Sequence, residues 1–98
     1  MTFIVKWSTP ARIHFMHILK YIDNKFGEKT ANEFIIQIDS VLEIISNMPE
    51  AFPVVKERNK VRRCLATKKT VLFYQIKGKT IYLINLYDTR MNPENFML

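Results

Sequence analysis

The chain has 98 residues and a formal net charge of +6, with 48% hydrophobic and 24% charged residues, which bounds it to one globular domain over 1–98 with a modest core and excludes a disordered chain. The lone Cys64 excludes an internal disulfide, and one cysteine with two histidines makes no metal cluster. No apolar run reaches the ~18 residues that span a bilayer, and Met1 to Trp7 lacks the basic-then-apolar pattern of a signal peptide, so a reducing cytoplasm away from membranes is the expected compartment.

Phe3 to Trp7 is short, rich in β-formers and followed by Ser-Thr-Pro, which predicts a strand. Ser8-Thr9-Pro10 reads as a helix start: a hydroxyl can accept from an unpaired N–H of the first turn, and proline loses nothing there. Apolar residues then recur at spacings of three and four, with Ile13, Met16, Tyr21 and Ile22 in one row and Phe15, Ile18 and Ile22 in a second, predicting a helix with a broad apolar face. It ends at Phe26-Gly27, where glycine can close it. A second helix follows at once, its face set by Ala31, Phe34, Ile35, Ile38, Val41, Leu42 and Ile45. Glu28 suits its positive end, and Asn47-Met48-Pro49 stops it. The connection is so short that the two helices must fold back as a hairpin.

Pro49 to Asn59 has two prolines and no clear period, and reads as a loop. Val61 to Arg90 then holds three runs rich in Val, Ile, Leu, Phe and Tyr, separated by Lys68-Lys69 and by Lys77-Gly78-Lys79. This is the pattern of an antiparallel meander. The fold class is therefore α+β in two layers: an N-terminal strand, a helical hairpin, and a three-stranded antiparallel meander that completes one sheet. The terminal Phe96 and Leu98 are expected to cover the core.

The charge is concentrated. From Lys56 to Lys79 there are nine Lys or Arg against the single acid Glu57, while the other 74 residues hold six basic and eight acidic ones. A basic surface on the sheet and its turns attracts nucleic acid or an acidic protein segment, and lysines on an edge also block aggregation. Arg62 and Arg63 must point to opposite faces of a regular strand. Cys64 faces as Arg62 does and reads as a small packing residue. Tyr74 and Tyr82 read as sheet-packing residues with hydroxyls at the rim. His14 and His17 lie three apart on the first helix without a third ligand nearby. Arg90 either meets a target or pairs with Asp88.

In this order, Trp7-Ser8, Ile18-Leu19-Lys20-Tyr21-Ile22, Phe26-Gly27 with Ala31 and Phe34, Leu42, Pro49, Arg62 or Arg63, Leu72-Phe73-Tyr74-Gln75-Ile76, Ile81 to Leu86 and Asp88-Thr89-Arg90 resemble the RelE/ParE superfamily of bacterial type II toxins. The resemblance covers nearly the whole chain. It implies a small basic cytoplasmic toxin neutralised by a cognate antitoxin, with no cofactor and no metal. One arm, RelE-like, cuts messenger RNA on the ribosome through a ribose 2′-hydroxyl, which requires a proton acceptor, cations for the phosphorane and an acid for the leaving oxygen. The other, ParE-like, poisons DNA gyrase and typically lacks that catalytic set. By resemblance, the ribonuclease set would be Arg62, Lys68, Lys69, Tyr87 and Arg90. Yet Val71 stands where that arm commonly keeps an arginine, and Cys64 where it keeps a second lysine. The resemblance thus leans to the ParE-like arm, with Arg62, Arg63, Lys68, Lys69, Lys77, Lys79 and Arg90 as the expected target- or antitoxin-binding residues and gyrase as the target. The alternatives are a ribosome-dependent endoribonuclease, partnered by ribosome and messenger RNA, and a non-toxic nucleic-acid-binding or degenerate module.

Overall fold

The computed structural model describes residues 2–55 and 60–91; Lys56, Glu57 and Arg58 of the basic stretch, and Phe96 and Leu98 of the tail, lie outside the described residues. The elements are β1 (Ile4–Trp7), α1 (Thr9–Phe26), α2 (Glu28–Asn47), a 3₁₀ turn (Pro49–Ala51), β2 (Val61–Thr67), β3 (Thr70–Lys77) and β4 (Thr80–Asp88). They form one mixed sheet in the order β1-β4-β3-β2. β2, β3 and β4 are the expected antiparallel meander, and β1 joins its far side parallel to β4, with Ile4 opposite Thr80 and Trp7 opposite Leu83.

The helix ends follow their local chemistry. Ser8 is the N-cap of α1 and its Oγ accepts from the Ala11 N–H at 3.1 Å. Gly27 sits between the helices at φ 95°, ψ 170°, a region essentially open only to glycine, and this one residue turns the hairpin. Gly78 takes φ 61° in the β3–β4 turn, the positive φ that a two-residue hairpin favours at its first position.

The pleat separates two clusters. On the helix side Cys64, Leu72, Tyr74, Ile81, Leu83 and Leu86 meet Ala11, Ile18, Ile22, Phe34, Ile38 and Ile45. On the outer face Val61, Val71 and Phe73 pack with Val55, Ile84 and Tyr87. A register shift in β4 between the partners of Phe73 and Tyr74 resets the alternation, so that Ile84 joins the outer cluster while Leu83 and Leu86 stay inside. Bulges of this kind raise local twist and re-aim side chains.

Three expectations change. The buried stripe of α1 is Ala11, Ile18 and Ile22, whereas Ile13 and Met16 are 47% and 58% exposed: the small Ala11, not the larger neighbours, permits close approach to the sheet. The stretch after α2 is not featureless, because it carries the 3₁₀ turn and a short bridge between Val54 and Arg62. The Tyr74 hydroxyl is not at the rim. Tyr74 is fully buried and donates to the Pro49 carbonyl at 2.5 Å, and burial pushes its phenol up to about 12 against the pull of Arg62.

An alanine Cβ at Gly27 would meet nothing within 4 Å, so only the backbone resists the change. Gly27→Ala is expected to destabilise by about 1–3 kcal/mol, seen as a lower urea midpoint with unchanged slope. Gly78→Asn, at a φ that asparagine visits readily, is expected to cost less.

Candidate functional site

Two basic ends, rather than one basic face, emerge from the strand directions. Lys68 and Lys69 form the β2–β3 turn, at the end where β4 finishes with Asp88 and Arg90; Lys77 and Lys79 flank Gly78 at the opposite end. Eight residues of extended strand at ~3.3 Å each separate the two ends. The structure therefore brings Lys68, Lys69 and Arg90 together and keeps Lys77 and Lys79 apart from them. The Lys77 ammonium lies 5.6 Å from the Tyr82 ring.

Arg62 and Arg63 do point to opposite faces. Arg62 lies on the helix side with Cys64 and Tyr74, and its Nη1 donates to the carbonyls of Phe52 at 2.7 Å and Glu50 at 3.2 Å. It closes the turn after α2 onto the sheet edge. Arg63 is exposed on the outer face. Cys64 is buried, and burial pushes its thiol up to about 11 against the pull of Arg63, so it stays protonated and packs.

Asp88 and Arg90 make the tightest polar constellation among the described residues. Asp88 is 2% exposed and accepts from Arg90 Nε at 2.8 Å, Arg90 Nη2 at 2.6 Å, the Arg90 backbone N–H at 2.9 Å and the Thr70 hydroxyl at 3.1 Å. Burial alone would raise the Asp88 carboxyl, but the Arg90 side-chain and backbone hydrogen bonds, its charge and the Thr70 hydroxyl hold it below the ordinary 3.8. The Arg90 guanidinium also lies 5.5 Å from the Phe26 ring, and the Tyr21 hydroxyl donates to the Arg90 carbonyl at 3.4 Å. The strand end is thus fastened to both ends of the α1 C-terminal turn.

Tyr87 lies on the outer face, edge-on to Phe73 at 6.0 Å. Sequence reading finds no histidine near it, yet α1 brings the His14 ring to 5.5 Å. Asn85 Nδ2 donates to the Tyr87 hydroxyl at 2.8 Å. His14 Nδ1 and Asn85 Oδ1 are buried and lack a partner among the described residues. No local pattern announces His14: its partner is 73 positions away and the contact exists only because α1 runs beside β4. Among the described residues no group of three His, Cys, Asp or Glu is placed to hold a metal, and no helix is long and apolar enough to cross a membrane.

Lys68, Lys69 and Arg90 border a groove of about 250 Å³ between the β2–β3 turn and α2, which contributes Thr30, Glu33, Phe34 and Gln37. Of these, Thr30, Glu33 and Gln37 are a second set that sequence reading passes over, since polar positions on a helix carry no sign of their own.

A family model for the ParE toxin of type II toxin–antitoxin systems matches residues 5–93. The chain is similar in structure to a chain from the chromosomal ParDE system of P. aeruginosa, with a TM-score of 0.76 and 16% identity over 89% of this chain and 96% of that one. It is also similar to a chain of the RelBE2 toxin–antitoxin complex of Mycobacterium tuberculosis, with a TM-score of 0.65 and 14% identity over 90% and 99%. A copper-bound mutant toxin from Helicobacter pylori aligns with a TM-score of 0.55 and 18% identity over 96% and 99%. At these identities the likeness is one of fold. Curated protein sequences give no match.

Removing one partner of a buried pair strands the other. Arg90→Ala is expected to cost about 3 kcal/mol at neutral pH, measured by urea unfolding. In the wild type the Asp88 contribution is complete above 3.8 and is lost as pH falls through the depressed folded value. In Arg90→Ala burial favours the protonated acid, so the gap between the two proteins should begin to narrow above 3.8, as the variant's Asp88 takes its proton, and go on narrowing below 3.8 as the wild type's does.

Proposed function

The chain belongs to the ParE toxin family of type II toxin–antitoxin systems, and from that premise we propose that it arrests growth by binding a large target, DNA gyrase, while a cognate antitoxin holds it inactive. Binding rather than turnover does the harm in this reading. Its support is the state of the cations. A phosphoryl-transfer site needs positive groups converging on one phosphorane. Here Arg62 is spent on the Phe52 and Glu50 carbonyls and Arg90 on Asp88. Val71 faces outward at 5% exposure within an apolar cluster, away from the face that Arg62 and Cys64 occupy. Only Lys68 and Lys69 remain of the cations in the ribonuclease set, on an exposed turn.

The antitoxin reading rests on the excess of basic over acidic residues and on the solved ParDE and RelBE2 relatives. A partly disordered acidic segment that orders on a basic partner gains long-range attraction and pays the ordering cost on binding.

One observation favours a second reading, a ribosome-dependent endoribonuclease. The His14–Tyr87 contact supplies an imidazole and a phenol on one face, the pairing that general acid–base catalysis uses. In that case a cation on the same face is Arg63, opposite Phe73 in the sheet.

Pulse labelling after induced expression without antitoxin separates these readings. DNA synthesis is expected to stop first while translation continues, and the purified chain to inhibit gyrase supercoiling. Early loss of translation with cut messages, abolished by His14→Ala or Tyr87→Phe, would overturn gyrase binding in favour of the ribonuclease. Unchanged growth would leave the nucleic-acid-binding or degenerate module.

A further inference from the structure

We infer that the solvent face of the α1–α2 hairpin is a self-complementary surface for a second copy of this chain, with α1 of one protomer lying along α2 of its partner.

The two helices differ in sign. α1 carries Arg12, Lys20 and Lys25 against the single acid Asp23, whereas α2 carries Glu28, Glu33, Asp39 and Glu43 against the single cation Lys29. All of these are exposed. Asp88–Arg90 is the one ion pair among the described residues, so the hairpin charges have no ion-pair partner within their own chain. A chain of net charge +6 thus sets an acidic helix beside a basic one. An acidic segment or a nucleic acid laid across the hairpin is repelled by α2, and a basic segment by α1. The surface that answers both helices is the same surface turned about a two-fold axis, where every contact is made twice.

Apolar residues lie among the charges. Ile13 and Met16, which periodicity alone assigns to the buried face, are 47% and 58% exposed, and on α2 Ile36 is 64% exposed. At about 100° per residue, Ile13, Met16 and Lys20 fall opposite the buried Ala11, Ile18 and Ile22 of α1. Ile36, Ser40 and Glu43 likewise fall opposite the buried Ile38 and Ile45 of α2. Height along the hairpin follows from distance to Gly27. Arg12 stands fifteen residues before it and Glu43 sixteen after, while Lys20 stands seven before and Glu33 six after. A two-fold axis parallel to the helices leaves each residue at its height and sets α1 antiparallel to the facing α2, as in a four-helix bundle. Arg12 then meets the partner's Glu43, Lys20 meets the partner's Glu33, and Met16 packs on the partner's Ile36.

The contact is small. The 18 residues of α1 extend about 27 Å and two helices side by side about 20 Å, a footprint that buries roughly 1,000 Å² over both copies, the low end for a specific interface. The dimer is therefore weak and governed by concentration.

The test is sedimentation of the intact chain over a concentration series. The mass is expected to rise from one chain at about 5 µM toward two chains at about 500 µM. Ile36→Glu, at an exposed position that leaves the core untouched, should hold it at one chain throughout. Arg12→Glu and Glu43→Arg each set like charges at both ends of the contact and should stay monomeric alone. An equal mixture of the two should restore the dimer, because opposite charges then meet at each end. Rescue between chains is a result that a purely structural role for these residues does not give. A chain that is monomeric at the top of the series, a dimer untouched by Ile36→Glu, or a mixture that stays monomeric would each overturn the proposal. Mass is the readout, so the dimer stands or falls independently of growth arrest and gyrase inhibition.

Discussion

One hydroxyl joins the two layers. Ser8 Oγ accepts from the Ala11 N–H and donates to the Ile84 carbonyl at 2.8 Å, while the Ser8 N–H donates to the Leu83 carbonyl at 3.0 Å. A strand end, a helix start and the bulge of β4 therefore meet at one residue. Leu83 is the last position of β4 that pairs with β1, so beyond it β4 runs on with only β3 as a strand partner. α1 leaves the joint alongside that free stretch. This is why His14 reaches Tyr87 and Tyr21 reaches Arg90. An N-cap normally contributes ~1 kcal/mol; here the same oxygen also decides where α1 crosses the sheet.

The end of β4 shows the cost of holding a strand terminus in place. Asp88 takes four hydrogen bonds, the full capacity of a carboxylate, and in doing so consumes the guanidinium of Arg90. A residue that sequence alone leaves between target contact and ion pair is built into the frame. Arg62 is consumed likewise by backbone carbonyls. Arg62 keeps its charge beside those neutral carbonyls and Arg63 is exposed, but the cations at the turns are the lysines. As flexible point charges on turns they steer encounter without fixing geometry.

Boundaries were legible because they are local. Ser8-Thr9-Pro10, Gly27, Pro49 and Lys77-Gly78-Lys79 mark element ends through capping, φ preference and loss of an N–H, and each mark falls within two residues of the observed end. The fold class followed from the order of periodic runs. Less legible were facts that depend on distant partners. The parallel seat of β1 beside β4 needs the crossover of both helices. Burial of Ala11 over Ile13 needs the height of the helix above the sheet. The Tyr74 bond to Pro49 needs a turn that has no periodicity to read. The sheet bulge carries no glycine or other local signal, and it shifts which residues of β4 face out.

The pleat also decides how a family motif can be transferred onto this chain. Counted by spacing, Arg62 and Cys64 align with a pair of lysines that would act together with the position of Val71. In the register observed, Cys64 lies opposite Leu72 and Leu65 opposite Val71. Side chains alternate strictly along a strand, so Arg62 and Cys64 face the helices while Val71 faces out. Groups on opposite faces cannot converge on one phosphate. Val61, Arg63, Leu65, Phe73, Ile84 and Tyr87 share a face with Val71, and a one-residue slip in the comparison exchanges one set for the other. On that face Val71 places an apolar group directly opposite Tyr87, with Leu65 beyond it, and Arg63 stands opposite Phe73. A scaffold shared at 16% identity preserves such faces without preserving what stands on them. The chemistry must accordingly be read face by face, and the outer face of this sheet is built more for contact than for charge stabilisation.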